Sequence, residues 1–444
     1  ENELVEIFGK PGVGTTDYHY ETWFAASNFL SYGGKLDIVR SVGGDLNTAN
    51  AAVGLANTTL LLEGLEDYNN NEASGTNWYF AAKNPGHWSE NIKVAIVDNA
   101  ADQTITPTLE TGTIAATKVG FAVTQHLTGN TIGVGTVTAA TGILKGVVTG
   151  KTATTIDVKV VSTVIGGSET LVDYQQNSQL EFKTGTMLNI VNNSGSTVGK
   201  SSTVTSVDWY NSQNILTSVA DGGSDFTTLK WRAVLNKPQT NNYVSKRDGT
   251  NDAIHVVVVD AGGGVTGNVG SILEKFPNLS KAKDGVASGN EAIFYKDFLA
   301  NNSEYIFSGA HVTNADDSHH GTLVLPGGIT GFTSITAAEG AWGQDAKNIK
   351  FSSIGNQGYS LTGGLDYTGV GVYNAPLGDV LTSYEKFTDP VDSDIRFLLQ
   401  GGCSGSKEEE QAKVNKLIQL AEGRKDCVAV ASPNRGSVVN VTDS

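Results

Sequence analysis

Ile92-Lys93-Val94-Ala95-Ile96-Val97 and Ile254-His255-Val256-Val257-Val258-Val259-Asp260 are two apolar, β-branched runs of strand length. What lies between them decides the fold. From about residue 100 to 251, Thr, Val, Gly and Ser dominate and helical periodicity is nearly absent. Short β-type runs such as Thr155–Val161 and Met187–Val191 recur there between Gly- or Asn-bearing turns. Residues 100–250 are therefore read as a β-rich inserted domain, with the two flanking runs paired as its neck. Its surface is expected to be acidic, Thr-rich and solvated.

Outside the neck the texture is α/β. Leu4–Phe8 reads as a strand and Gly9–Thr15 as a loop. A helix capped at Thr16 or Asp17 carries Tyr20, Trp23, Phe24 and Ser27–Leu30, and Gly33-Gly34 ends it. Leu36, Ile38, Arg40 and Val42 alternate as a strand. Beyond Asp260, helices are expected at Val269–Phe276 and Glu291–Leu299. Near the end, the strand Asp394–Leu399 precedes a capping box, Ser406 with Glu409. Val414, Leu417, Ile418 and Ala421 form the apolar face of the helix it starts, and Cys427–Ala431 is the next strand. This β-α-β unit implies a parallel pair with a right-handed crossover. The expected fold class is α+β multidomain. A mixed α/β core, 1–99 with 251–444, is assembled from N-terminal and C-terminal parts around the insertion.

The 444 residues suggest about three domains at ~150 residues each. A net charge of −16 argues against binding phosphate backbones or anionic membranes through the surface as a whole. No apolar run approaches the ~20 residues of a spanning helix. Cys403 and Cys427 lack metal spacing and read as free, buried thiols. The chain opens on Glu1 and closes on Val441-Thr442-Asp443-Ser444, and is read as an excerpt.

Four motifs approach chemistry. Gly9–Thr16 has the glycine spacing of a phosphate loop, but the position that requires Lys holds Thr15, and Lys10 sits at the wrong end. Asp316-Asp317-Ser318-His319-His320 offers metal ligands, yet adjacent histidines do not face one ion easily, so a solvated loop is expected. Asp260–Gly264 reads as a chain reversal, and Lys407–Glu410 as an exposed first helical turn. No catalytic, cofactor-binding or metal residues are assigned, no cofactor is expected, and the chain is read as a non-enzyme.

Several phrases, in order, resemble the tail sheath family of myovirus-type phages. They are Asn2–Leu4 through Phe8–Pro11, Trp23–Gly33 and Leu36–Arg40, then Asn84–Val94, which departs from the family pattern at Ser89 and Glu90. Ala292–Phe298 with Ser303–Ile306, Leu361–Asp366, Tyr384–Asp392 and Arg424–Pro433 follow. The resemblance implies a structural subunit forming hexameric rings, stacked helically around an inner tube and contracting from a metastable state to drive that tube through the host envelope. It implies as partners other copies of the chain, the inner tail tube protein, and baseplate and tail terminator proteins. Direct nucleic-acid binding and membrane insertion are not implied. It places the protein in a virion tail, assembled in the host bacterial cytoplasm. The terminal arms, which add strands to neighbouring sheets, and the tube-facing C-terminal domain are expected to be missing here. Three other readings stay open: a bacteriocin or secretion-type sheath, a P-loop-like nucleotide hydrolase, and an extracellular β-rich adhesin.

Overall fold

A computed structural model describes residues 4, 19–43, 49–54, 60–72, 78–126, 131–132, 135–136, 142–166, 168–176, 180–184, 187–192, 194–217, 227–312, 323–324, 336–337, 339–366, 375–401 and 406–433. Helix α1 (His19–Ser31) is followed by strands β1 (Ala52–Gly54), β2 (Trp78–Ala82) and β3 (Ile92–Val97). Seven strands come next: β4 (Gln103–Gly112), β5 (Ala122–His126), β6 (Ile143–Lys151), β7 (Ile156–Ile165), β8 (Ser168–Leu171), β9 (Leu188–Val191) and β10 (Thr197–Asp208). The chain continues with β11 (Ala253–Asp260), β12 (Ser271–Ser280), α2 (Tyr295–Asn302), β13 (Ile306–Ser308) and β14 (Asn356–Ser360). It closes with α3 (Leu377–Tyr384), β15 (Phe397–Leu399), α4 (Lys407–Arg424) and β16 (Val428–Val430). Several sheets and both element types make it an α+β, multidomain chain.

The central sheet has the order β12-β11-β3-β14. β3 lies antiparallel to β11, His255 facing Val97 and Asp260 facing Ile92, and antiparallel to β14 on its other edge. Both faces of this sheet are buried, which is why β3 and β11 are apolar at most positions rather than alternating. Ile92, Val94, Ile96, Val256 and Val258 pack with Phe80, Tyr295 and Leu299 on one face. Ala95, Val97, Val257 and Val259 pack with Trp209, Tyr210 and Trp231 on the other.

Strands β4 to β10 form one sheet in the order β8-β7-β4-β10-β9-β5-β6, and β6 also pairs with β7. That last pairing closes six strands into an antiparallel barrel, with β8 as a flap on β7. Closure removes the exposed edges that so many β-branched strands otherwise present. Ile105, Val123, Leu144, Val158, Phe182, Ile190 and Val204 fill its interior. Gly112 sits at φ +77°, and a Cβ there would lie 2.0 Å from the Val198 carbonyl oxygen. The barrel is not acidic: residues 101–208 hold six lysines against seven carboxylates. The chain's negative charge lies elsewhere.

Several expectations are corrected. Val269–Phe276 is not helical; Ser271–Ser280 is an edge strand. Its pairing with β11 shifts register between Val256↔Phe276 and Ile254↔Leu279. Pro277, which has no N–H to donate, and Asn278 at φ +53° occupy that irregularity, a position an edge strand tolerates. The second expected helix starts at Tyr295 and not at Glu291, because Ile293 is tied by backbone bonds to Gly285 and Ser280. Leu36–Val42 joins no ladder among the described residues. Leu4, the one described residue of the first expected strand, is helical and buried. On α4, Leu420 is buried with Leu417, whereas Ile418 is 45% exposed. Glu410, expected at the surface, is buried. Cys427 is free and half-buried.

The capping box at Ser406 forms as read. Its hydroxyl accepts from the Glu409 N–H at 3.3 Å, and the Glu409 carboxylate accepts from the Ser406 N–H at 3.1 Å. Helix α4 packs through few buried residues, so the cap matters. Ser406→Ala is expected to cost about 1 kcal/mol, read by urea denaturation. A wild-type midpoint would contradict this.

Candidate functional site: the junction of the signature phrases

Four of the sequence phrases quoted above, far apart along the chain, meet beside β2 and β3. Pro85-Gly86-His87-Trp88 turns into β3 with Gly86 at φ 126°, ψ 158°, a backbone region essentially restricted to glycine. A Cβ on Gly86 would lie 2.9 Å from Asp366 Oδ2, 2.9 Å from the Trp88 ring and 3.1 Å from the Arg40 guanidinium. Gly364 approaches from the opposite side, where a Cβ would lie 2.3 Å from the Gly86 carbonyl oxygen. Gly364 is thus required by the Gly86 backbone, and Gly86 by its own dihedral angles.

The surrounding bonds weld the segments. The Gly86 N–H donates to Ala49 O at 3.0 Å, and Ala49 and Leu365 exchange both backbone bonds at 3.0 Å. The His87 N–H donates to Asp366 Oδ2 at 3.2 Å. Ser89 and Glu90, where the family pattern is broken, fasten the same turn. Ser89 Oγ donates to Gly86 O at 2.7 Å, and Glu90 Oε1 accepts from the Gly363 N–H at 2.9 Å. Asn91 O accepts from Ala261 N at 2.7 Å, and Gly262 and Gly264 wrap its side chain. The 303–306 phrase joins through Lys83 N, which donates to Tyr305 O at 2.8 Å.

A second junction ties the barrel's foot to the sheet. Lys281 and Asp98 are wholly buried, with Nζ 2.8 Å from Oδ2. Lys281 also donates to Asn251 O at 2.9 Å and Ser352 O at 3.0 Å. Asp98 accepts from the N–H groups of Ile354 at 2.9 Å and Gly355 at 3.2 Å. Asp102 accepts from the Val160 N–H in β7 at 2.9 Å, and Lys237 Nζ reaches Ala101 O at 2.8 Å. Desolvation, only partly offset by the Asp102 charge, holds the Lys237 ammonium below the usual lysine range.

His255, 2% exposed, is fixed between two backbone groups. Its Nδ1 accepts from the Asn278 N–H at 2.9 Å, so Nε2–H donates to Asn236 O at 2.6 Å. Burial lowers its pKa below the ordinary histidine value. The folded state therefore resists a proton that the unfolded chain accepts, and this contribution to stability is lost as pH falls below about 6.5. Wild type is expected to lose more stability between pH 7.5 and 5 than His255→Gln does, by urea denaturation at both values. Equal losses would contradict the assignment.

The junctions supply rigidity. Asp260 Oδ2 accepts from Thr266 N at 2.7 Å and Val265 N at 3.1 Å, which folds the 261–270 reversal. The phosphate-loop-like Gly9–Thr16, Cys403 and the Asp316–His320 group lie outside the described residues. Among the described residues, no three His, Cys, Asp or Glu side chains group to hold a metal ion. No helix there is long and apolar enough to cross a membrane. Sequence reading pointed to the phrases but not to their convergence or to the Lys281–Asp98 pair. Lys281 carries no local signal, since its neighbours Ser280 and Ala282 resemble any loop.

No family model matches the chain. The tail sheath protein of Enterobacteria phage T4 is 24% identical to it over 453 aligned residues, covering 99% of this chain and 56% of that protein. The chain thus spans about half the length of the curated relative it matches. Agreement along nearly all of its own length, with the ordered phrases, makes the chain similar to a phage tail sheath protein.

Proposed function

We propose that this chain is part of a structural subunit of a contractile tail sheath. The alignment of 99% of its length with a tail sheath protein carries the proposal. In this reading the subunit acts without catalysis or cofactor. Copies form hexameric rings that stack around an inner tube in a virion tail assembled in the host cytoplasm, with baseplate and terminator proteins at the ends. Such contacts are heterologous, since only these build closed rings and open helices. Contraction releases energy stored at assembly, a kinetic trap rather than an equilibrium state. The welded junctions support this, because a subunit that rearranges as a rigid body must hold its own parts fixed. The barrel is read as an insertion in the 1–99/251–444 core that projects outward.

Negative-stain imaging of the gene product tests the proposal. Hollow, striated polymers are expected, whereas a discrete monomer at all concentrations would refute it. Deleting residues 103–208 and rejoining the chain is expected to leave polymers intact. Loss of polymers from a folded deletion variant would show that the barrel takes part in the lattice.

A further inference from the structure

Asp260 ends β11 as a wholly buried carboxylate, and only one of its oxygens is served. Oδ2 accepts from Val265 N at 3.1 Å, Thr266 N at 2.7 Å and Thr266 Oγ1 at 2.9 Å. Oδ1 is buried and has no hydrogen-bond partner among the described residues. Asp98 differs, because Lys281 answers its charge at 2.8 Å. The described donors to Asp260 are all neutral. A carboxylate taken out of water with one oxygen bare is costly unless something positive meets it.

A second bare acceptor stands close by. Asn91 precedes Ile92, which faces Asp260 across the neck. Its amide nitrogen donates to Trp88 O at 3.1 Å, which settles which end of the amide is oxygen. Asn91 Oδ1 takes the place of a side chain at Gly262, 2.1 Å from where a Cβ would lie, and no described donor reaches it. Gly263, at φ +77°, turns the loop so that Gly262 and Gly264 both lie against the Asn91 side chain. The Gly262 and Gly264 carbonyls accept no backbone bond among the described residues. Oxygens without donors, one of them charged, are the ligands of a hard cation. Zinc would call for nitrogen or sulfur, and neither is offered here.

We infer that Asp260 Oδ1 and Asn91 Oδ1 hold a calcium-class cation at the end of the neck, with loop carbonyls and water completing its shell. One carboxylate among neutral oxygens gives weak binding, with a Kd on the order of 10⁻⁴–10⁻³ M. The ion ties β11 to the Pro85–Asn91 turn and so to β3. This site does not depend on the sheath reading.

Thermal unfolding tests it. In about 10 mM calcium the wild-type midpoint is expected to rise by about 3 °C over EDTA with potassium at matched ionic strength. Asp260→Asn separates the ion from the fold. The new amide oxygen keeps Val265 and Thr266, and the new NH₂ supplies the donor that Asn91 Oδ1 lacks. In EDTA this variant is expected to match or exceed wild type, and calcium is expected to leave it unmoved. Asn91→Asp sets a second carboxylate at the site. It is expected to be less stable than wild type in EDTA and to bind calcium about tenfold more tightly. Equal calcium shifts in wild type and Asp260→Asn would overturn the inference. So would a wild type that calcium does not move, which would assign Oδ1 to a buried water.

Discussion

Replacing Lys281 with methionine is expected to lower the unfolding free energy by about 3–5 kcal/mol, the usual cost of leaving one member of a buried ion pair without its partner. The carboxylate of Asp98 would stay wholly buried, holding only the backbone N–H groups of Ile354 and Gly355. Asn251 O would lose the ammonium, while Ser352 O keeps the Trp342 indole N–H at 2.9 Å. The double change Lys281→Met with Asp98→Leu is expected to recover part of the loss, since it removes the stranded charge. The surface pair Lys386–Glu63, with side chains 64% and 52% exposed, provides the control. Lys386→Met is expected to change stability by less than about 1 kcal/mol. Urea denaturation of the four proteins gives all the values. A Lys281→Met cost no larger than that of Lys386→Met would contradict the structural reading of the junction.

The second large effect is at the paired glycines. Gly364→Ala places a methyl 2.3 Å from the Gly86 carbonyl oxygen, and backbone on both sides cannot yield without breaking the Ala49–Leu365 bonds. Gly86→Ala adds a forbidden backbone conformation to contacts with Asp366, Trp88 and Arg40. Each is expected to cost about 3 kcal/mol or more, from strain and overpacking together. Gly378→Ala is the reference, because a Cβ there meets nothing within 4 Å. The helix it lies in is expected to gain slightly from alanine. Soluble yield and thermal unfolding of the three variants distinguish the cases. Wild-type behaviour of Gly364→Ala would mean that the two phrases do not touch.

Elements whose cause is local were legible in the sequence. The run Val256–Val259 and the box at Ser406 and Glu409 each carry their own signal, and both form. Elements whose cause is distant were not. Ser271–Ser280 has apolar residues at helical spacing, Ile272 and Phe276, and only its ladder to β11 makes it a strand. Barrel closure depends on β7 meeting both β6 and β4, and no window of sequence holds all three. Leu36–Val42 alternates as a strand does, but a strand needs a neighbour to bond. Sequence order joined the phrases at Arg40, Gly86 and Asp366 into a resemblance. Their shared site emerged only from tertiary contact, because a glycine required by another glycine's carbonyl resembles any turn glycine.

On the proposed reading this is a rigid subunit that works through contacts with its own copies. Immunogold labelling of contractile-tailed particles with antibodies raised against this chain tests that most directly. Label along the whole tail, in the extended and in the shortened form, is the predicted result. Label confined to the capsid or the tail tip, or absent from the particle, would contradict it.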